Sequence, residues 1–377
     1  MRGTLALPLA VALAATPVSG QASTGAPEVS ELVSDAVGYL KTSQTDEGAF
    51  SPQLGPAITG LVATGLLRHG RSMSDPLVSD AVDYVLGFVQ PDGGVYSPGS
   101  THRNYETCIA VQMLREAAEA PGAKSDYKEV LAGADAFLRG LQWDAEEGHD
   151  ISSLNYGGAG YGGHSRPDLS NTSFLIDALH SLGAGPDDPA IQKALVFVSR
   201  TQNLESEHNA TPFAAKVNDG GFYYTPAAGG TSQAGETAGG GLRSYGSMTY
   251  AGLKSMIYAG VGPDDPRVEA AYNWIRRHYT LNENPGMGSS GLYYYYHTFA
   301  KALDAIGEPV ITEADGSRHD WRAELVRTLA DAQQESGAWV NSNERWLESD
   351  PNLSTAYALL ALSYCDEAEP ARAQSQR

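Results

Sequence analysis

Asp168, Tyr245 and His297 are side chains of the kinds that transfer protons in enzymes, and each lies at or near the start of a long apolar run. A carboxylate, a phenol or an imidazole acts as a general acid or base when its surroundings bring its pKa near the working pH. Because the apolar runs are predicted to be helices, these residues would meet wherever the helices start side by side. We predict that these three are the catalytic residues.

Further polar and aromatic residues stand at the starts of the same runs. Free backbone N–H groups and the positive end of the helix dipole favour an anionic or strongly polar ligand group at a helix N-terminus. Three arginines belong to this set in a chain whose formal net charge is −20. The predicted ligand-binding residues are Arg103, Glu106, Arg166, Asn171, Arg243, Tyr293 and Tyr296.

Four consecutive tyrosines, Tyr293 to Tyr296, precede His297. On a helix they point in all directions, so some face neighbouring helices and others face any enclosed cavity. Aromatic walls suit an isoprenoid chain, whose developing cations they stabilise, and they equally suit a sugar ring stacked on an aromatic face. The expected partner is therefore a small molecule, an isoprenoid or a glycan, with an apolar or ring-like body and a polar or anionic head.

A repeated unit must position these residues. Six glycine-based loops, most with an aromatic residue, divide the chain, and each is followed by an apolar run of helical period. Each unit is predicted to be an amphipathic outer helix, a tight turn and a buried inner helix. Six such pairs predict an all-α fold that closes into a double ring around a central cavity. The loops are Gly48–Phe50, Gly94–Tyr96, Gly158–Tyr161, Gly220–Phe222, Gly286–Gly288 and Gly337–Trp339.

The register of the units repeats as well as their composition. A threonine occupies one inner-helix position in five units, whereas Thr298 of the fifth unit lies two residues late. We interpret these hydroxyls as structural, bonding back to a carbonyl in the preceding turn. The five threonines are Thr59, Thr107, Thr172, Thr249 and Thr355. The outer helices share a glutamine, at Gln44, Gln90, Gln142, Gln202 and Gln334, with Tyr279 in its place in the fifth unit.

A glutamine followed by a Gly-aromatic loop resembles the prenyltransferase and squalene-cyclase repeat family, and the resemblance covers about residues 30–365. It implies an (α/α)6 toroid of terpene cyclase type. Cyclases of that family protonate an alkene with an Asp-x-Asp-Asp-Thr motif, but residues 168–172 read Asp-Leu-Ser-Asn-Thr. Protein prenyltransferases bind zinc through Asp, Cys and His. Only the His has a match, at His297, while residues 244–247 read Ser-Tyr-Gly-Ser.

These departures disfavour standard cyclisation and zinc-dependent prenyl transfer, so no metal and no cofactor is expected. Three alternatives stay open: a divergent cyclase-like enzyme, a non-catalytic binding scaffold and a lyase-type toroid active on glycans. Geometry discriminates between them. Convergence of Asp168, Arg243, Tyr245 and His297 on one point would favour an enzyme, and dispersal onto backbone partners would favour binding.

The ends of the chain and its charge set further bounds. Residues 1–22 contain a basic start, an apolar core and small residues, the pattern of a signal peptide, so the protein is expected to be secreted or periplasmic. Residues 23–377 are expected to form one domain with a short disordered tail at 366–377, and to be monomeric. The acidic charge argues against nucleic acid, and no apolar stretch is long enough to span a membrane.

Overall fold

The computed structural model describes residues 28–162 and 166–365. The predicted signal peptide and C-terminal tail lie outside the described residues. Over the described ranges, no helix has the length and apolar character needed to cross a membrane. The same ranges are mostly helical, as the sequence predicts for an all-α fold.

Thirteen α-helices and one small hairpin make up the regular structure of the described residues. The hairpin pairs β1 (Val310–Thr312) with β2 (Arg318–Asp320) in antiparallel fashion. In chain order the helices are α1 (Val29–Ser43), α2 (Ala57–Arg68), α3 (Pro76–Leu86), α4 (Arg103–Glu119), α5 (Lys128–Arg139), α6 (Leu169–Ser181), α7 (Pro189–Arg200), α8 (Ala214–Val217), α9 (Gly246–Tyr258), α10 (Pro266–Arg277), α11 (Leu292–Ile306), α12 (Trp321–Ala332) and α13 (Pro351–Leu362).

Six of these helices form a closed inner ring. Helix α2 packs against α4, α4 against α6, α6 against α9, α9 against α11, α11 against α13, and α13 returns to α2. Helices α1, α3, α5, α7, α10 and α12 pack outside them, each burying one face. Helix α13 is apolar on nearly every side and all but one of its residues are buried, as expected of a helix enclosed by neighbours.

The recurrent threonine ties each glycine loop to its inner helix. In five units its hydroxyl accepts a hydrogen bond from the backbone N–H of a loop residue. The N–O distance is 2.9 Å both from Phe50 to Thr59 and from Ala159 to Thr172. Thr172 also donates to the carbonyl of Asp168, one turn earlier in α6. The structural interpretation of these threonines is thus confirmed. The other pairs are Val95 with Thr107, Phe222 with Thr249 and Trp339 with Thr355.

In four units a glutamine ties one unit to the next, whereas the Gln90 side chain bonds within its own unit, to the carbonyls of Phe88 and Tyr96. The Gln142 side chain donates to the loop carbonyl of Gly157 and to the Ala190 carbonyl in the first turn of α7, both at 2.9 Å. In the sixth unit Gln333, not Gln334, makes this bridge, to Gly337 and to Leu32 of α1, and so joins the last unit to the first. The sequence analysis assigned this position to Gln334, one residue too late, because two glutamines are adjacent there and residue type alone does not distinguish them.

Candidate functional site

The inner helices begin at one end of the ring, and polar and aromatic side chains gather there. We call this group the mouth layer and define it as Tyr105, Tyr161, Asp168, Ser170, Asn171, Tyr224, Tyr245, Tyr294 and Tyr357. Asp168 and Tyr245 are the residues that immediately precede α6 and α9, so both are fixed by the helix starts. A backbone bridge between Ala159 and Asp168 holds the end of the loop of residues 144–162 against this end of the ring.

Asp168 is a fully buried carboxyl group that caps α6. It accepts the backbone N–H of Asn171 at 2.9 Å, and the Asn171 side-chain amide donates to its other oxygen at 2.9 Å. Burial raises the pKa of Asp168 to about 6, against the lowering effects of Asn171, Tyr224 and the Arg166 charge. The group can therefore gain or lose a proton near pH 6.

Arg166 and Asn171 both interact with Asp168, Asn171 through hydrogen bonds and Arg166 through its charge. The Arg166 guanidinium stands over the Tyr224 ring, 5.3 Å from its centre. Burial and the nearby Asp168 charge raise the pKa of Tyr161 and Tyr224. These phenols remain protonated at neutral pH and can donate hydrogen bonds.

Tyr245 is 2 % exposed and belongs to the same layer. Burial, followed by the effects of Tyr294 and Asp168, raises the pKa of Tyr245 well above its usual value. A phenol in this state is a poor general base, because deprotonation would place a charge in a buried position. Its role in the layer is that of a neutral hydrogen-bonding group.

Within the tyrosine run, Tyr294 faces the centre of the ring. Its hydroxyl lies 3.1 Å from Ser170 Oγ, and its ring stacks near Phe174, with centroids 6.3 Å apart. The Tyr296 hydroxyl instead donates to the Leu281 carbonyl, and Tyr293 is 3 % exposed and packs edge-on against Tyr296. Sequence reasoning selected Tyr293 and Tyr296 and missed Tyr294, because a run of four identical residues gives no indication of which one points inward.

The remaining predicted binding residues contact loops. The Arg103 guanidinium stands 5.6 Å from the centre of the Tyr96 ring. Glu106 is buried and accepts the Ser97 backbone N–H at 2.7 Å, so its carboxylate holds the loop of its own unit. Arg243 is exposed and donates to the Glu236 carbonyl.

His297 lies in a different environment from Asp168 and Tyr245. It lines a small cavity together with Asp177, Lys254 and Lys301. These residues lie toward the C-terminal ends of the inner helices, and we call this part of the ring interior the C-terminal half. Burial, and then the charges of Lys301 and Arg68, lower the pKa of His297 well below its usual value. The four residues whose convergence would favour an enzyme are thus dispersed: Asp168 and Tyr245 share the mouth layer, whereas Arg243 and His297 do not.

An ionic cluster of Asp177, Lys254 and Lys301 crosses the ring beside His297. Lys254 Nζ lies 2.5 Å from one oxygen of Asp177, and Lys301 Nζ lies 2.8 Å from the other. All three side chains are at most 8 % exposed. Two lysines in the sequence could have indicated this cluster. Lys254 and Lys301 interrupt runs that are otherwise apolar on nearly every side, and a charged residue inside such a run must face a partner.

A strained loop borders the mouth layer. Trp346 and Leu347 have φ angles of 57° and 66°, in the left-handed region that side chains rarely adopt. Both side chains are exposed, Trp346 by 43 %. The neighbouring Glu348 is buried and accepts the backbone N–H groups of Tyr293 and Tyr294 at the start of α11. Arg345 donates to Gln233 and so joins this loop to the insertion of residues 204–243.

Comparison with solved structures identifies the architecture. A variant of the type II terpene cyclase MstE from Scytonema, in complex with geranylgeranyl dihydroxybenzoate, matches with a TM-score of 0.53 and 12 % identity over 89 % of this chain and 97 % of that one. The chain is an α/α toroid.

Glycan-related proteins share the toroid to a similar degree. A possible member of the GH105 family from Salmonella enterica serovar Paratyphi A matches with a TM-score of 0.52 and 10 % identity, over 93 % of this chain and 98 % of that one. A glycosyl hydrolase of family 88 from Bacteroides vulgatus matches with a TM-score of 0.50 and 12 % identity, over 90 % and 99 %. No family model and no curated protein matches the sequence. At these identities the likeness establishes the fold alone.

Proposed function

We propose that the protein is a secreted or periplasmic toroid that binds an acidic, hydroxyl-rich ring compound, such as a uronic-acid sugar chain, in the mouth layer. The observation that carries this proposal is the chemistry of that layer. Its described residues are phenols, an amide, a hydroxyl and one carboxyl, and Arg166 stands beside them. Ligand sites for sugars combine aromatic faces with groups that donate and accept hydrogen bonds.

Paired hydroxyls favour a sugar over a hydrocarbon chain. Tyr105 and Tyr357 share a hydrogen bond of 2.9 Å, and Ser170 and Tyr294 share one of 3.1 Å. A ligand that enters between them must replace those bonds, because a buried polar group without a partner costs about 1–3 kcal/mol. Sugar hydroxyls supply the replacements and an isoprenoid tail does not. The exposed ring of Trp346 offers a stacking face at the rim of the same end.

Asp168 is the group in this layer best suited to proton transfer. Its pKa of about 6 lets both protonation states be populated between pH 5 and 7. Ser170 and Asn171 stand where the cyclase motif has acids, so alkene protonation is not part of the proposal. If the bound ligand is transformed, Asp168 is the expected acid or base.

Isothermal titration calorimetry with three ligands tests this function. The ligands are an oligosaccharide of uronic acid, its neutral counterpart and a geranylgeranyl amphiphile. The proposal expects binding of the acidic sugar and at least tenfold weaker binding of the neutral one. Binding of the amphiphile alone would overturn it in favour of an isoprenoid ligand, and binding of none would overturn it outright.

Two pairs of variants locate the binding. Arg166→Gln and Tyr294→Phe are expected to weaken binding of the acidic sugar by about tenfold each, since each loses one polar or charged contact. Arg277→Gln and Tyr272→Phe make the same chemical changes on helix α10, which packs outside the inner ring, and serve as controls. Equal losses in the variants and the controls would show that binding occurs elsewhere.

A further inference from the structure

The ionic cluster near the C-terminal ends of α6, α9 and α11 places two lysines against one carboxylate. Among the described residues, Asp177 is the carboxylate in salt-bridge contact with both Lys254 and Lys301, with one oxygen for each ammonium group. Burying an uncompensated charge costs several kcal/mol, and proteins therefore pair such charges. Arg68, at the same end of the ring, is paired with Glu116 at 2.7 Å, so Glu116 already has a cationic partner.

Burial acts on both lysines against the attraction of Asp177. Burial lowers the pKa of Lys254 to about 8, because the attraction of Asp177 offsets only part of the cost and Lys301 opposes it. Burial also lowers the pKa of Lys301. The same two ammonium groups hold the pKa of Asp177 at about 2, although burial alone would raise it. At neutral pH Asp177 is ionised, so the cluster is net positive when both lysines keep their protons.

A neutral donor completes the surroundings of the cluster. Nδ1 of His297 is buried and has no hydrogen-bond partner among the described residues. His297 lines the same cavity as Lys254 and Lys301, and the hydroxyls of Ser173 and Thr298 lie at its wall. The open space is about as large as one water molecule, which is also about the size of a halide ion.

We propose that Lys254, Lys301 and His297 form a binding site for a halide ion inside the inner ring. The anion balances the second lysine, and His297 donates to it when Nδ1 carries the imidazole proton. This site is separate from the mouth layer, and the proposal does not depend on the function proposed for that layer.

Thermal unfolding of the full chain in a zwitterionic buffer tests the site. Sodium chloride, bromide, formate and acetate are titrated separately, with sodium sulfate at equal ionic strength for comparison. A ligand that binds the folded state stabilises it by RT ln(1 + [L]/Kd), so Tm stays flat below Kd and rises with the logarithm of concentration above it. For chloride and bromide this rise is expected to begin in the millimolar range, where sulfate of equal ionic strength has little effect. Stabilisation by formate or acetate but not by halides would overturn the proposal.

Lys301→Met decides whether the cluster is the site. This variant leaves a neutral Asp177–Lys254 pair, so it is expected to fold while losing at least tenfold in apparent anion affinity. Lys193→Met removes a surface ion pair with Asp144 and is expected to keep the wild-type response. His297→Gln, which retains a donor, is expected to lose less than Lys301→Met. Stabilisation by halides no greater than by sulfate of equal ionic strength, or the same onset concentration in Lys301→Met as in the wild type, would overturn the proposal.

Discussion

The two halves of the ring interior bury polar groups in different ways. The mouth layer consists mainly of neutral groups that bond to each other, as in the pairs Tyr105–Tyr357 and Ser170–Tyr294. The C-terminal half instead contains full charges, with Asp177 between Lys254 and Lys301. A neutral pair can exchange one partner for a ligand hydroxyl at little net cost when the ligand replaces the lost hydrogen bond, whereas a buried charge needs its counter-charge. A ligand therefore exchanges bonds in the mouth layer and changes the charge balance in the cluster.

The same residue type on one helix shows the contrast. Asp168 and Asp177 stand at the start and near the end of α6, and both are buried. Burial dominates at Asp168, whose pKa rises to about 6, while two ammonium groups dominate at Asp177, whose pKa falls to about 2. Environment, not residue type, decides which carboxyl is available for proton transfer.

Asp177→Asn is expected to cause the largest loss of stability. It leaves two buried lysines without a counter-charge, and removal of one partner of a buried pair costs about 3–5 kcal/mol. Asp168→Asn is the matched control, since Asn is also a good helix cap and the expected loss at pH 7 is about 1 kcal/mol or less. Urea unfolding at pH 7 measures both free energies. Equal losses of unfolding free energy in the two variants would show that the mouth layer and the ionic cluster do not differ in how strongly they depend on a buried carboxyl group.

The second prediction is that Asp168 and Asp177 change the stability of the fold with pH in opposite directions. The folded-state pKa of Asp168 lies above its unfolded value, so the fold favours the protonated form. Its contribution is fully present below about pH 4 and is lost as pH rises to about 6, a change of roughly 3 kcal/mol. Asp177 has the opposite sign, because its stabilisation is present above about pH 4 and is lost as pH falls toward 2.

Urea unfolding of wild type and Asp168→Asn at pH 4, 5, 6 and 7 isolates the first effect. The difference between their unfolding free energies is expected to shift in favour of the variant by roughly 2 kcal/mol between pH 4 and 6, since the rest of the total change lies outside that window. A constant difference would show that Asp168 titrates normally in the fold and would remove the basis for its role in proton transfer.

The repeating features of the chain were predictable from sequence, whereas the direction in which an individual side chain points was not. Thr59 and its counterparts recur in register, so both the helix pairs and the structural role of the hydroxyls could be inferred. The shift between Gln333 and Gln334 arose because adjacent identical residues leave the register ambiguous. Tyr294 was missed for the same reason.

The ionic cluster was missed because its members are far apart in sequence. Asp177, Lys254 and Lys301 lie on α6, α9 and α11, and no spacing along the chain connects them. Only the ring places these three helices side by side. Asp168, Arg166 and Asn171 were found together because they stand within six residues of one another, so local sequence already determines their proximity.

Thr172→Val tests how the mouth layer is fixed, and its expected effect is the smallest. Valine keeps the shape of threonine but leaves the buried Ala159 N–H without its acceptor, at a cost of about 1–2 kcal/mol. Thr298→Val is the control, because that hydroxyl donates only to carbonyls of its own helix, at Tyr294 and Tyr295. It is expected to cost less than about 0.5 kcal/mol in urea unfolding. A larger loss for Thr298→Val would mean that the loop attachment contributes little and that packing alone positions Asp168.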